Sequence, residues 1–330
     1  MENELRIARQ AVTLAIEITR RVQADMTGAD TITKADRSPV TVADFASQAV
    51  ICSVLNRNFP LIPIVAEESA SALRRPENRF ARDRVAFYLK SSSGSSAWDG
   101  DDLFDSIDLG SRSPADCFWT LDPIDGTKGF LRKEQYAIAL ALVNRGRVEA
   151  GVLGCPNLDH PGSASPGGCL ISAVRGQGAW METANGESRD TCRVSLEQDP
   201  VRMRFVESYV SSHSHADMQL AVARGLGING SPVRMDSQVK YAVIASGKAE
   251  IYLRIPHPDT PDYKEKIWDH AAGSLIVTEA GGRVTDIEGR ELDFSKGKTL
   301  SRNRGILAAT PQVHSRVIRT IAQLEERARS

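Results

Sequence analysis

Two short apolar runs in this 330-residue chain each end at carboxylates, which restricts the folds open to it. The run LIPIVA at 61–66 leads to Glu67 and Glu68, and the run CFWTL at 117–121 leads to Asp122. Short apolar runs of this kind are typical of strands buried on both faces. Such strands need helices or a second sheet on each side, so the chain is predicted to form layers with the carboxylates facing a cleft.

Helical periodicity flanks these strands in the first half of the chain. Apolar residues recur at steps of three and four between residues 2 and 26, which predicts an amphipathic helix. A second helix is predicted at 41–58, because Thr41-x-x-Asp44 resembles a capping box. The stretch 71–115 is charged, rich in Ser and Gly and acidic toward its end, so it is predicted to be a mobile insertion.

Hairpin signals give way to alternating helix and strand signals near residue 200. The turn NRGR joins apolar segments at 136–143 and 148–153, which predicts a hairpin extended by strands at 169–174 and 178–181. Further elements are predicted in this order: strand 204–209, helix 216–225, helix 239–247, strand 249–255, helix 269–279 and helix 311–327. We therefore predict two units that share a cleft, an α+β unit at 1–200 and a layered α/β unit at 201–330.

The composition argues against several classes of protein. Forty-one basic and 42 acidic residues give a formal net charge of −1, so no overall field draws the chain to nucleic acid or to an anionic membrane. The five cysteines are scattered and form no C-x-x-C motif, which indicates neither a disulfide framework nor a zinc site. No apolar run approaches the ~18 residues of a membrane span, and the start MENELRIARQ is unlike a signal peptide. We expect a cytoplasmic monomer that acts on a small molecule.

The segment DPIDGTKGF combines features that phosphate chemistry with a divalent metal requires. Mg²⁺ prefers oxygen ligands in near-octahedral geometry, and Asp122, the Ile124 carbonyl and Asp125 can supply three of them from one rigid turn. Gly126 lets the backbone approach a ligand closely, and amides near Thr127 can hold a phosphate at the start of a helix. Asp-Pro and Asp-Gly are also ordinary turn dipeptides. Further carboxylates at the ends of other elements favour a shared cation instead.

Several motifs together resemble the inositol monophosphatase superfamily of metal-dependent, lithium-sensitive phosphatases. They are VAEES at 65–69, LDPIDGTKGFLR at 121–132 and WDHAAGSLIVTEAGG at 268–282, in the family's order and spacing. Within the superfamily the chain most resembles the 3′(2′),5′-bisphosphate nucleotidases, through SPVTVADF at 38–45, MDSQVKY at 235–241 and EKIWDH at 265–270. The resemblance implies an αβαβα sandwich over nearly the whole chain. Lys133 departs from it, because the subfamily often has glycine there.

The resemblance assigns chemical roles to the residues that match the family motifs. The implied ligands of up to three Mg²⁺ ions are Glu67, Asp122, the Ile124 carbonyl, Asp125 and Asp269. Asp44 and Thr127 resemble the pair that helps to deprotonate the attacking water, with Glu67 assisting. Most of these ligands fall in the first predicted unit, and Asp269 falls in the second.

Each candidate also has a structural interpretation. Asp44 can complete a helix cap, and Asp269 can complement a helix dipole. We favour function for both, since each lies inside a match of several residues. Glu68 is interpreted as a solvated neighbour of Glu67. The stretch GLGING at 225–230 is a weak dinucleotide-binding signal, because it follows a helix and not a strand.

The resemblance further implies a substrate, adenosine 3′,5′-bisphosphate, whose 3′-phosphate is hydrolysed to leave AMP. Its sulfated analogue PAPS, which would give APS, is an additional candidate, and both imply a link to sulfur metabolism. A second phosphate and an adenine require fixed cations and a planar surface. The implied substrate contacts are Gly126, Thr127, His213, Ser237, Lys240, Arg254 and Asp269. His215 stays open as an alternative to His213, and Asp236 is open between the substrate and an ion pair with Lys240.

Two other functions stay open. The same metal ligands would serve a phosphatase that removes the 1-phosphate of an inositol phosphate or polyphosphate, although MDSQVKY and Arg254 favour a nucleotide. A nucleotide-binding sensor without turnover would belong to a different class of protein. The presence of every expected ligand argues against the sensor.

Overall fold

The apolar runs of the sequence form two stacked sheets, with helices outside and between them. The computed structural model describes residues 1–34, 39–93, 98, 100–161, 163, 167–209, 216–260 and 262–329. Within these residues helices α1 to α9 are Glu2–Asp25, Val42–Asn58, Arg79–Ser93, Asp101–Asp108, Thr127–Leu131, Ala216–Leu226, Val239–Ala245, Ala271–Glu279 and Pro311–Arg329. Short 3₁₀ turns lie at Gly28–Asp30 and Pro76–Asn78.

The larger sheet contains seven strands that follow the chain order from one edge to the other. They are β3 Ile64–Ala66, β4 Cys117–Asp125, β5 Ala137–Asn144, β6 Arg147–Cys155, β7 Cys169–Val174, β8 Gly178–Thr183 and β9 Arg189–Thr191. Strands β3 and β4 are parallel, and each later neighbour is antiparallel. Parallel pairing of β3 with β4 brings their carboxyl ends to the same edge. A separate hairpin is formed by β1 Thr31–Thr33 and β2 Pro39–Thr41.

The smaller sheet has five strands in the order β11-β10-β12-β14-β13. They are β10 Phe205–Glu207, β11 Val233–Arg234, β12 Ile251–Arg254, β13 Arg283–Thr285 and β14 Ile306–Ala309. Strand β10 is parallel to both of its neighbours, whereas β14 is antiparallel to β12 and β13. The sequence prediction missed β13 and β14, which are short and lie among glycines and charges.

Alternating side chains of both sheets divide the interior into three cores. Trp119 of β4 faces α1 and α2, while its neighbour Phe118 faces α7 and α8 between the sheets. In the smaller sheet Tyr252 faces this central core, and Leu253 faces the outer helices α6 and α9. The layers are therefore helix, sheet, helix, sheet, helix, which confirms the predicted αβαβα sandwich.

The two sheets draw on the two stretches that the sequence analysis separates near residue 200. Strand β9 ends at Thr191 and β10 begins at Phe205. The central core is shared, because α8 packs on β5 and β6 of the larger sheet as well as on β13. The division into units 1–200 and 201–330 stays a prediction, and we propose it on the basis of this sheet boundary.

The prediction of a mobile, patternless insertion at 71–115 is wrong for the described part of that stretch. Helices α3 and α4 form there, and they bury apolar side chains against α2, including Val85, Leu89, Leu103 and Ile107. Residues 94–97 and 99, which hold most of the Ser-Gly tract, lie outside the described residues. These helices are difficult to recognise in the sequence, because charged residues of their exposed faces are interspersed among the apolar positions.

Two further details refine the sequence predictions. Strand β4 does not stop at Asp122 but continues to Asp125. Lys133 has φ of 59°, a left-handed conformation that favours glycine, which explains why glycine suits this position. All five cysteines are free thiols, and no helix of the described chain is long and apolar enough to cross a membrane.

Candidate active site

An irregularity in β4 sets the directions of Asp122 and Asp125. Asp122 pairs with Ala139 of β5 and Asp125 pairs with Ala137, so three steps on β4 oppose two on β5. Residues three apart on a regular strand face opposite sides, and the extra residue of a bulge returns them to the same side. The Ile124 amide also donates a hydrogen bond to Asp122 Oδ1 over 3.1 Å, which fixes that carboxylate against the turn.

Three predicted metal ligands, Asp122, Asp125 and Asp269, have a raised pKa, and the charge of Glu67 contributes to each shift. Burial raises the pKa of Asp122 well above its usual range, and the charges of Glu67, Asp125 and Asp269 raise it further. Burial, Asp125 and Glu67 likewise raise the pKa of Asp269. The pKa of Asp125 rises to about 6 through burial, although Lys240 and the Gln238 amide oppose the shift. A buried cluster of like charges is stable when a cation compensates it.

Glu67 and Glu68 follow β3 and meet the cluster from the neighbouring strand. The Glu67 amide donates to the Leu121 carbonyl over 3.2 Å, which carries the parallel pairing of β3 and β4 to this edge. The Lys34 ammonium forms ion pairs with both glutamates and lies 3.3 Å from Glu67 Oε1. The interpretation of Glu68 as solvated is wrong, because it is only 6% exposed. Burial, with the Glu67 and Asp44 charges, raises the pKa of Glu68 to about 8.

Asp44 forms the predicted helix cap at the start of α2. Its Oδ2 accepts hydrogen bonds from the Thr41 amide at 2.8 Å and from Thr41 Oγ1 at 2.6 Å. Burial raises the pKa of Asp44 to about 7 and outweighs the opposing Thr41 hydrogen bonds, while the Glu67 charge adds to the rise and the Lys34 charge opposes it. Thr127 is the first residue of α5, and its hydroxyl donates to the Ile124 carbonyl over 3.3 Å. The Asp44–Thr127 catalytic pair stays a prediction.

Gly126 and Ser237 meet where the two predicted units touch. Gly126 has φ of 90°, and a Cβ there would lie 2.9 Å from the Ser237 Cβ. Ser237 itself has φ of 66°, and its hydroxyl accepts from the Val239 amide over 3.2 Å at the start of α7. Only a residue without a side chain allows this approach of the DPIDGT turn to the MDSQVKY segment.

The predicted substrate cations lie on the smaller-sheet side of the site. Lys240 is buried, donates to Ser208 Oγ over 3.1 Å and lies 5.3 Å from the centre of the Tyr252 ring. Burial lowers the pKa of Lys240 to about 8. Arg254 pairs with Glu265, with 2.8 Å between Nε and Oε1. Burial alone would lower the pKa of Arg254, but Glu265 and other nearby acidic groups together outweigh burial, so the net shift is upward.

One cavity of about 240 Å³ connects these groups. Its walls include the predicted residues Glu67, Asp125, Gly126, Thr127, Ser237, Lys240, Arg254 and Asp269. Asp44, Asp122 and Ile124 are buried and are not part of its lining. His213 and His215 lie outside the described residues.

Several residues of the site carry no isolated sequence signal. Gln238 connects the two predicted units. Its backbone amide donates to Asp125 Oδ2 at 2.7 Å, and its side chain forms hydrogen bonds with the Trp268 carbonyl and the Gly273 amide. Tyr263 lines the cavity and is 45% exposed, so it offers a planar surface. Asp236 pairs with Arg132, so the suggested ion pair with Lys240 is wrong for the described structure.

Comparison with known proteins found a matching family and similar relatives. Residues 1–326 match the family described as the inositol monophosphatase family. A 3′(2′),5′-bisphosphate nucleotidase of Oryza sativa is 41% identical over 336 residues, which cover 96% of this chain and 93% of the relative. A protein of the same description from Emericella nidulans is 40% identical over 98% of both chains.

Solved structures share the fold at lower identity. The extragenic suppressor protein suhB from Bartonella henselae has a TM-score of 0.67 at 22% identity, covering 97% of this chain and 98% of that one. An IMPase of Thermotoga maritima has a TM-score of 0.68 at 20% identity, covering 98% of this chain and 99% of that one. Likeness at this level of identity concerns the layered architecture.

Proposed function

The chain belongs to the inositol monophosphatase family, and we propose that it hydrolyses the 3′-phosphate of adenosine 3′,5′-bisphosphate to AMP and phosphate. PAPS is proposed as an additional substrate, because it carries the same 3′-phosphate on a different 5′ group. The names of the relatives that align over nearly the full chain support this choice. Membership of the family supports phosphatase activity. The structure supports the choice of adenosine 3′,5′-bisphosphate as the substrate through the lining of its cavity.

The observation that carries the proposal is a single cavity lined by both carboxylates and cations. Glu67, Asp125 and Asp269 line it together with Lys240 and Arg254. A substrate with one phosphate needs only the metal side, whereas a bisphosphate uses both. The half-exposed ring of Tyr263 adds a planar surface on which a base can stack.

The donor set fits Mg²⁺. Hard cations take oxygen ligands, and the site concentrates carboxylates of Glu67, Asp122, Asp125 and Asp269 beside the Ile124 carbonyl. Burial and mutual repulsion raise the pKa of Asp122 and Asp269, and a divalent cation would relieve that repulsion. We propose that these five groups hold up to three Mg²⁺ ions. When bound, the metal neutralises charge on the phosphoryl oxygens and lowers the pKa of a water molecule.

The chain's own residues then position the substrate and accept the proton. Lys240 and Arg254 bind the second phosphate and hold the 3′-phosphate at the carboxylate side. The Thr127 hydroxyl lies beside the Ile124 carbonyl, so it can orient a water molecule at the phosphate. Asp44 has a pKa of about 7, suited to accepting a proton near neutral pH, and its cap uses only Oδ2.

A substrate panel tests the proposed function. Phosphate release would be compared for adenosine 3′,5′-bisphosphate, PAPS, inositol 1-phosphate and inositol 1,4-bisphosphate, each with Mg²⁺ and with EDTA. We expect the highest kcat/KM for the adenosine bisphosphate and loss of release in EDTA. Faster release from inositol 1-phosphate would overturn the substrate assignment.

The sensor alternative makes a separate prediction in the same panel. A sensor would bind the nucleotide with or without Mg²⁺ and release no phosphate. The family's lithium sensitivity adds a second check, because we expect excess Li⁺ to inhibit release. Activity that Li⁺ leaves unchanged would argue against the assigned metal site.

A further inference from the structure

Arg254 is one end of a buried series of contacts that consists of one ion pair and two hydrogen bonds. Glu265 Oε1 lies 2.8 Å from Arg254 Nε, and Glu265 Oε2 lies 3.2 Å from His270 Nε2. His270 Nδ1 in turn lies 2.8 Å from the Tyr241 hydroxyl. We propose that Glu265 is a positioning residue that holds the Arg254 guanidinium toward the cavity, and thereby sets the preference for a substrate with a second anionic group.

The Glu265 carboxylate determines which atoms donate and which accept in these hydrogen bonds. While Glu265 is ionised, it accepts hydrogen bonds and cannot donate them. His270 Nε2 therefore carries the proton and donates to Glu265. His270 Nδ1 then accepts from the Tyr241 hydroxyl. Both Glu265 oxygens and both His270 ring nitrogens thereby have partners, and Glu265 and His270 are only 5% and 1% exposed. These contacts hold the Glu265 carboxylate and the His270 ring in place, because any displacement would leave a buried group without its partner.

The Arg254 ion pair has the features of a positioning contact. Glu265 is buried, and despite burial its pKa is lowered, chiefly by the Arg254 charge and the His270 hydrogen bond. Removing one partner of a buried pair leaves the other charge uncompensated. The pair engages Nε at the stem of the guanidinium, so the planar end can still face an anion.

Lys240 lacks an equivalent anchor. Within the described chain its ammonium donates to Ser208 Oγ and forms no ion pair, and a lysine is a flexible point charge. Arg254 is therefore the cation whose position is set before the substrate arrives. The Glu265, Asp269 and His270 ligand atoms also lie within 4.8 Å of one another, but Glu265 and His270 are already committed to the series of contacts described above. Asp269 is therefore free to act as the proposed metal ligand.

The inference rests on the proposed function for the identity of the anion, but its test does not require turnover. Isothermal titration would measure the dissociation constants of AMP and of adenosine for the wild type, Glu265→Gln, Arg254→Met and the double variant. Glutamine keeps the shape and can still accept from His270. We expect Glu265→Gln to weaken AMP about 10-fold more than adenosine, within the range of coupled residues in one ion-pair network. In the Arg254→Met background the same substitution should add nothing.

Glu250→Gln is the matched control. Glu250 is also a buried glutamate beside an arginine, Arg204. It comes directly before strand β12, whereas Arg254 is the last residue of that strand. It should lower stability without changing the ratio of AMP to adenosine affinity. Glu265→Asp keeps the charge on a shorter side chain and should give an intermediate ratio of AMP to adenosine affinity. It replaces Glu265→Gln in the test if the glutamine variant fails to fold.

Two results would overturn the positioning role. One is an unchanged AMP-to-adenosine ratio in Glu265→Gln or in Glu265→Asp, and the other is an equal loss with Arg254 present or absent. In turnover assays we expect a raised KM for the bisphosphate with kcat retained within about threefold. A wild type that binds AMP more tightly than adenosine but hydrolyses no bisphosphate would contradict the proposed function and leave the positioning of Arg254 supported.

Discussion

The backbone amide of Gln238 donates a hydrogen bond to Asp125 Oδ2 over 2.7 Å, across 113 residues of sequence. The contact joins the strand that carries three predicted metal ligands to the segment that carries Ser237 and Lys240. The side chain of the same glutamine holds the Trp268 carbonyl and the Gly273 amide. One residue thus connects the β4 turn to the polypeptide on both sides of Asp269.

Gln238→Met should destabilise the protein by about 2–6 kcal/mol. The substitution keeps the backbone bond to Asp125 but leaves a buried carbonyl and a buried amide without partners, each costing about 1–3 kcal/mol. Urea denaturation of the two proteins would measure the difference in the free energy of unfolding. A loss below about 0.5 kcal/mol, the usual size of the effect of a surface substitution, would show that water replaces the side chain.

Asp125→Asn should separate stability from activity. Without metal, the substitution removes one charge from a repelling cluster, so the Tm in EDTA should rise, while asparagine can still accept from the Gln238 amide. With Mg²⁺, kcat should fall by about 10²–10³-fold, the scale of losing one group that stabilises transition-state charge. Asp286→Asn is the control, since Asp286 is fully buried and pairs with Arg290 away from the cavity. That variant should lose stability and keep its activity.

The metal-free protein should lose stability as the pH rises from 6.5 to 8.5. The pKa of Asp44 is raised to about 7 and that of Glu68 to about 8, so the folded state holds protons that the unfolded state has released. Stability from a raised pKa is present at low pH and is lost as the pH passes the folded value. The window lies above the ordinary histidine pKa, because buried His270 and His314 have lowered pKa values and act in the opposite direction below it.

Urea midpoints in EDTA at both pH values would measure this loss, and Mg²⁺ should recover more stability at pH 8.5 than at pH 6.5. Metal binds deprotonated carboxylates, so its stabilising effect grows as they ionise. Midpoints that stay constant or increase with pH in EDTA would contradict the assigned carboxylate cluster.

Asp44→Asn tests whether Asp44 is more than a helix cap. The asparagine side-chain oxygen can accept the Thr41 hydrogen bonds, so the cap and the Tm should be largely retained. If Asp44 takes up a proton in the reaction, kcat should fall by about 10²–10⁴-fold. Thr127→Val should cause a similar loss and Thr127→Ser should restore most of it. An Asp44→Asn enzyme with full activity would reduce Asp44 to a structural residue.

Gly126→Ala should destabilise the protein more than Gly176→Ala. Both glycines have positive φ, 90° and 74°, so both variants carry the strain of about 1–2 kcal/mol of a left-handed alanine. Only at Gly126 would the new Cβ meet a neighbour, the Ser237 Cβ at 2.9 Å, whereas nothing lies within 4 Å at Gly176. Overpacking should add about 1–3 kcal/mol at Gly126, measured by urea denaturation. Equal losses would mean that the two segments can separate freely.

The sequence alone was sufficient for the features that depend on near neighbours. Helix α1, the cap at Thr41 and Asp44, and strand β7 follow from periodicity and short motifs, because local geometry repeats every few residues. The choice of Asp122, Asp125 and Asp269 as candidate ligands came from the resemblance of contiguous motifs to the inositol monophosphatase superfamily. The layered fold followed from apolar strands that need cover on both faces.

The tertiary structure decided which charges are buried and which partners they have. Glu68 is buried beside Lys34, Asp236 pairs with Arg132 from 104 residues away, and Glu265 holds Arg254. None of these relationships has a period or a fixed spacing along the chain. They depend on how sheets and helices stack, because burial and ion pairing are set by distances in space that residues far apart in sequence reach only after folding.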